Sequence, residues 1–167
     1  RRTMLGAIAS SPLWMQSAWA QPNLKISHQF PRASLAEGDF RDRLCRMFAA
    51  NVERRTRGGL KFSIHPSASL MAPGAQIGAL RSGGLDMALV PLSYAGAEAP
   101  EANIGLMPGL VTSYEQGYAW KNAPVGRELT RILNEQGLVV VSWIWHAGGV
   151  GSTGKPIVRP EDRAGLK

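Results

Sequence analysis

The sequence holds a single cysteine, Cys45, so no internal disulfide can form and a disulfide-stapled fold is excluded. The apolar run near its start is broken by Ser10, Ser11, Pro12 and Gln16 and is too short to span ~30 Å of hydrocarbon as a stable anchor. No G-x-S-x-G nucleophile elbow occurs, and Gly151-Ser152-Thr153-Gly154-Lys155 lacks the full phosphate-loop pattern because Pro156 follows the lysine. Only three histidines are present, His28, His65 and His146, separated by tens of residues, whereas zinc ligands usually sit as close pairs on one element. No metal and no cofactor is expected.

What is present is the composition of a globular domain: 167 residues, 44% hydrophobic and 19% charged. Formal net charge is +7, and much of the excess lies in one segment, Arg41, Arg43, Arg46, Arg54, Arg55, Arg57 and Lys61. On a helix these alternate with apolar positions, so they read as a solvated face and not as a nucleic-acid surface. Cys45 sits in the same helical context and reads as a small buried hydrophobe.

Residues 1–20 read as an export signal. Arg1-Arg2 precede Met4 to Ala9 and Leu13-Trp14-Met15, and Ala18-Trp19-Ala20 supplies an A-x-A cleavage site. The paired arginines with Thr3-Met4-Leu5 resemble a twin-arginine signal, with an ordinary Sec signal as the other route. Either one implies a periplasmic protein that meets no nucleic acid and spans no membrane once the signal is removed. The sequence opens on Arg1 instead of methionine, so an earlier start is expected.

The chain is organised around Leu80 to Tyr94. Gly83 and Gly84 are expected to supply the positive φ angles of a helix end, Leu85 to Val90 a short strand covered on both faces, and Pro91 its stop. Before it, Leu24 to Phe30 alternates as a strand, and a helix of about five turns runs from Ser34 or Leu35 to Gly58-Gly59, with Phe40, Leu44, Met47, Phe48 and Val52 at helical spacing. Leu60 to His65 forms a second strand and Ala75 to Ser82 a short helix. Strand, helix, strand, helix, strand with short connections implies an α/β fold with parallel pairing.

Beyond Tyr94 comes a loop rich in alanine and glycine, then helices starting near Ser113 and at Pro124. The second carries Val125, Leu129, Ile132 and Leu133 on one face and stops at Gly137. Leu138 to His146 is the most strand-like run of the chain.

Ligands of open α/β sheets bind beyond the carboxyl ends of strands, which makes His28, Ser93, Tyr94, Trp145 and His146 the candidate ligand contacts. Trp143 and Trp145 alternate on one strand face, and core packing is the default for both. Helix N-termini at that edge favour anions by ~0.3–1 kcal/mol each, while micromolar binding needs about 8 kcal/mol. A charged clamp must therefore come from elsewhere, and none is evident in these residues.

Several of these pieces occur together in one known family. The helix closed by Arg57-Gly58-Gly59, Pro66-Ser67 followed by Leu70, Leu80 to Ala88, Met107-Pro108-Gly109-Leu110 with Ser113-Tyr114-Glu115-Gln116, Gly126 before Gly137-Leu138, and Lys155-Pro156-Ile157 leading to Pro160 to Lys167 stand in that family's order. The sequence resembles the solute-binding proteins of tripartite ATP-independent periplasmic (TRAP) transporters, of the DctP type.

The resemblance implies a periplasmic-binding-protein-like fold of two lobes that closes on a small organic acid and delivers it to the membrane subunits of the transporter, without enzymatic activity. Residues 21–147 would then be the first lobe and 148–167 the crossover and start of the second. The arginine that holds the ligand carboxylate in such proteins would follow the Gly165-Leu166-Lys167 motif. Asp86 reads as structural, bonding backbone at a strand entrance. The other readings are a secreted α/β enzyme using His28 or His146 as base, and a sensory module of the same fold.

Overall fold

The structure is a computed structural model that describes residues 21–97, 99–107, 109–146, 152–154 and 156–165. The expected signal at 1–20 and the expected crossing between lobes near 147–150 lie outside the described residues. Internal contacts divide the chain into two units, one running to Ala72 and including Leu85–Leu89, the other made of Pro73–Gly84 and Val90 onward.

In the first unit, β1 (Asn23–His28), β2 (Lys61–His65) and β3 (Met87–Leu89) form a parallel sheet in the order β2-β1-β3. β1 is central, with Ile26 opposite Ile64 on one side and Met87 on the other. Central position explains why its alternation ends in three consecutive buried residues, Ile26, Ser27 and His28. The expected α/β class with parallel pairing is what forms. β3 is shorter than Leu85 to Val90 and only half-buried, so the strand expected to be covered on both faces is not. Asp86 does bond backbone at its entrance, accepting from the Lys25 N–H at 2.8 Å.

The helix α1 spans Phe40–Arg55, several residues shorter at its start than the apolar spacing predicts. Local polar chemistry explains the difference. The Ser34 hydroxyl accepts from the Ala36 and Glu37 N–H groups, Gly38 takes φ +97°, and Asp39 then caps the helix by accepting from the Arg41 N–H. The buried stripe of α1 is also not that of its largest apolar residues. Asp42, Cys45 and Ala49 are buried, whereas Phe40, Leu44 and Met47 remain exposed. Phe48 meets Phe62 of β2 edge-on at 5.7 Å. After β2, the left-handed pair Ser67 and Ala68 turns the chain so that their N–H groups reach the carbonyls of Phe30 and His28.

In the second unit, α2 (Gln76–Ser82) ends at Gly83 with φ +75°. Gly84, expected to share that role, does not have a positive φ. Short 3-10 turns follow at Leu92–Ala95 and Pro100–Leu106, the latter in a region expected to be loop. Ser113 caps α3 (Tyr114–Ala119) by accepting from the Gln116 N–H, and α4 (Pro124–Glu135) begins on its proline. Gly137, at φ +79°, ends α4 with its N–H on the Asn134 carbonyl. The apolar face of α4 buries Leu129 and Leu133 against Trp120, with Val125, Val140, Trp143 and Trp145 packed around them.

Leu138 to His146 is not a strand. The run alternates, with Leu138 and Val140 turned inward and Val139 81% and Val141 63% exposed, but it joins no ladder among the described residues. β-branched residues favour extended backbone, while a strand also requires a hydrogen-bonding neighbour. Among the described residues the sheet therefore has three strands instead of four.

Candidate functional site

His28 closes β1 and is fully buried. Its Nε2 lies 2.9 Å from Asp42 Oδ1. The other carboxylate oxygen of Asp42 accepts from the Ala33 N–H at 2.7 Å and from Arg46 Nε at 2.6 Å, so one buried carboxylate ties the end of β1, the connecting loop and the helix surface together. Burial alone would push the Asp42 carboxyl up, but Arg46, the Ala33 N–H and His28 outweigh it and hold it below the usual carboxylate range. Burial pushes His28 below its usual value, against the opposing pull of Asp42. The pair is thus a neutral imidazole on an ionised carboxylate, and because a carboxylate only accepts, the ring proton sits on Nε2. Nδ1 makes no hydrogen bond among the described residues.

The Phe30 ring stacks beside His28 at 5.9 Å, and the Arg41 guanidinium lies 3.8 Å above the Phe30 centroid. Arg41 also pairs with Asp39 at 2.6 Å and holds that carboxyl down at about 2. Two arginines of the segment read as a solvated face, Arg41 and Arg46, therefore help build the surroundings of His28. Cys45 is buried on the same helix, and desolvation pushes its thiol up to about 11, which leaves it un-ionised and inert near neutral pH.

The other candidates belong to the second unit. Ser93 and Tyr94 lie in the Leu92–Ala95 turn, Ser93 half-buried and Tyr94 exposed. Their neighbour Leu92 packs on the Trp120, Leu129, Leu133 cluster, the same cluster that Trp145 joins. Trp145 is half-buried, its ring 5.2 Å from that of Trp120, and its indole N–H makes no hydrogen bond among the described residues. Both Trp143 and Trp145 pack against this core, while His146 is exposed. The turn carrying Ser93 and Tyr94 thus shares one packing cluster with Trp145, and His28 stands in the first unit with Asp42.

Besides Ser27 in β1, two buried polar residues escaped the sequence reading. Asp42 could have been found from the small residues Cys45 and Ala49 at helical spacing behind it, which mark the inward face. Gln76 carries no such signal; it is fully buried at the first position of α2. Among the described residues no group of three or more His, Cys, Asp or Glu side chains could hold a metal ion, and no helix is long and apolar enough to cross a membrane.

The DctP family model, described as bacterial extracellular solute-binding protein, family 7, matches residues 34–167. The chain belongs to this family. A solute-binding protein of Albidiferax ferrireducens is 61% identical over 98% of the chain and 48% of its own length. The crystal structure of a TRAP periplasmic solute-binding protein from Rhodoferax ferrireducens with bound malonate is 65% identical, with a TM-score of 0.82 over 85% of this chain and 45% of that one. A TRAP protein from Sulfurospirillum deleyianum with bound succinate is 26% identical, with a TM-score of 0.73 over 87% of this chain and 46% of that one. This DctP-family chain thus spans about half the length of the relatives it matches, and its parallel sheet flanked by helices is the architecture of their corresponding part.

Proposed function

We propose that this chain is the ligand-capturing portion of a periplasmic solute-binding protein that takes up a small organic acid and delivers it to the membrane subunits of a TRAP transporter, without chemically altering it. The observation that carries this reading is the 65% identity and TM-score of 0.82 to the malonate-bound Rhodoferax protein. Carboxylates recur in other relatives, with succinate in the Sulfurospirillum structure and D-glucuronate in one from Chromohalobacter salexigens.

In this reading residues 1–20 are the export signal, by the twin-arginine or the Sec route, 21–147 form the first lobe, and 148–167 begin the crossing to the second. His28, Ser93, Tyr94, Trp145 and His146 are the proposed contacts, with no metal, cofactor or nucleic acid involved. A solute receptor uses binding free energy to close its lobes, so a ligand held only by this half binds weakly. Thermal unfolding of the complete gene product with malonate, succinate and D-glucuronate tests the proposal. It expects a concentration-dependent rise in melting temperature with at least one acid and recovery of that acid unchanged. No shift with any of them, or chemical conversion of one, would overturn it.

A further inference from the structure

Gln76 is fully buried, and neither its amide oxygen nor its amide nitrogen has a hydrogen-bond partner among the described residues. A primary amide offers two donors and an acceptor, and leaving such groups unsatisfied inside a protein is strongly unfavourable. A glutamine is also a poor choice for plain packing. Its successor Ile77 forms an apolar cluster with Ala95, Ala99 and Ala102. Retaining the amide there implies that something outside the described protein atoms engages it.

Position indicates what that is. The turn Pro73–Ala75, which leads directly into Gln76, packs against the turn Leu92–Ala95 that carries Ser93 and Tyr94. Leu92 of that turn joins the cluster of Ile77 as well as that of Trp120 and Trp145. Gln76 therefore follows directly on a turn that packs against the one carrying Ser93 and Tyr94, two of the proposed contacts.

We propose that Gln76 is a specificity-determining ligand contact, its amide N–H donating to a ligand carboxylate and its amide oxygen accepting from a neighbouring hydroxyl. This assignment rests on the organic-acid reading and refines it. A ligand carrying both groups, a small hydroxy acid, satisfies both ends of the amide, whereas a plain dicarboxylate leaves the oxygen unpaired. Sites built to bond a hydroxyl discriminate strongly against the analogue that lacks it.

Calorimetry on the complete gene product with malonate and with hydroxymalonate, which share one skeleton and differ by the hydroxyl, tests this. The proposal expects hydroxymalonate to bind at least about tenfold more tightly, and Gln76→Leu to abolish that preference. Gln76→Met, which matches glutamine in length, is the second variant should the leucine fail to fold. Equal affinity of the wild type for both acids, or a preference that survives in Gln76→Leu or Gln76→Met, overturns the assignment and leaves the organic-acid reading standing. Failure of the wild type to bind any acid overturns both.

Discussion

His28 Nε2 and Asp42 Oδ1 lie 2.9 Å apart with neither side chain exposed to solvent. Everything that keeps this pair ionised on one side and neutral on the other is local: the Arg46 guanidinium and Ala33 N–H on the carboxylate, and burial around the imidazole. The carboxylate is the hub, since three separate groups depend on it.

Removing that hub should be severely destabilising. Asp42→Ala leaves the His28 ring, the Ala33 N–H and the Arg46 guanidinium without their acceptor, and breaking a buried pair from one side typically costs about 3–5 kcal/mol. Asp42→Asn keeps one acceptor oxygen and should fall between wild type and alanine. Urea denaturation with an unchanged slope and a lowered midpoint is the expected result. A midpoint within error of wild type for Asp42→Ala would show that the network contributes nothing.

The same groups set a pH dependence with a definite sign. His28 has a folded pKa below its usual 6.5, so the unfolded chain takes up a proton first and stability falls as pH drops below about 6.5. Asp42 and Asp39 are held below their usual 3.8, Asp39 at about 2, so their contribution is complete above 3.8 and is lost as pH falls from there through the folded pKa. Both effects act in one direction, and the denaturation midpoint should decline in two stages. His28→Gln should remove the upper stage and spare the lower. An upper stage unchanged in that variant would assign it to another group.

The features legible in the sequence are those decided by neighbours along the chain. Ser113 as a helix start, Pro124 as a first helical residue, and Gly83 and Gly137 as helix ends follow from local hydrogen bonding and φ preference, and each stands where it was expected. That Asp86 bonds backbone at a strand entrance was also expected, although its partner, the Lys25 N–H, lies far away in sequence. Leu138 to His146 was misread because its residue types specify extended backbone, while pairing depends on a neighbour far away in sequence. The inward face of α1 was misread because hydrophobicity favoured Phe40, Leu44 and Met47, whereas the sheet-side surface takes the small residues Cys45 and Ala49 together with a carboxylate that His28 needs. Of the candidate site, the turn after Pro91 was legible from its proline, and the burial of Gln76 was not.

Two glycines of the second unit should respond to alanine in different degrees, for separable reasons. A Cβ on Gly126 would run into the carbonyl oxygen and backbone carbon of Trp120, and backbone cannot swing aside as a flexible side chain can. α4 must then shift away from Trp120, loosening the burial of Leu129 and Leu133 against it. Overpacking of this kind costs roughly 1–3 kcal/mol. Gly83 has open space where a Cβ would go, but its φ of +75° is one that alanine adopts only with strain, and the cost should be nearer about 1 kcal/mol. Thermal unfolding of Gly126→Ala and Gly83→Ala should therefore show the larger loss at Gly126. Near-UV circular dichroism should change in the Gly126 variant alone, since only there does the Trp120 environment move. The reverse order would mean that α4 slides freely over Trp120 and that the end of α2 is the more tightly constrained of the two.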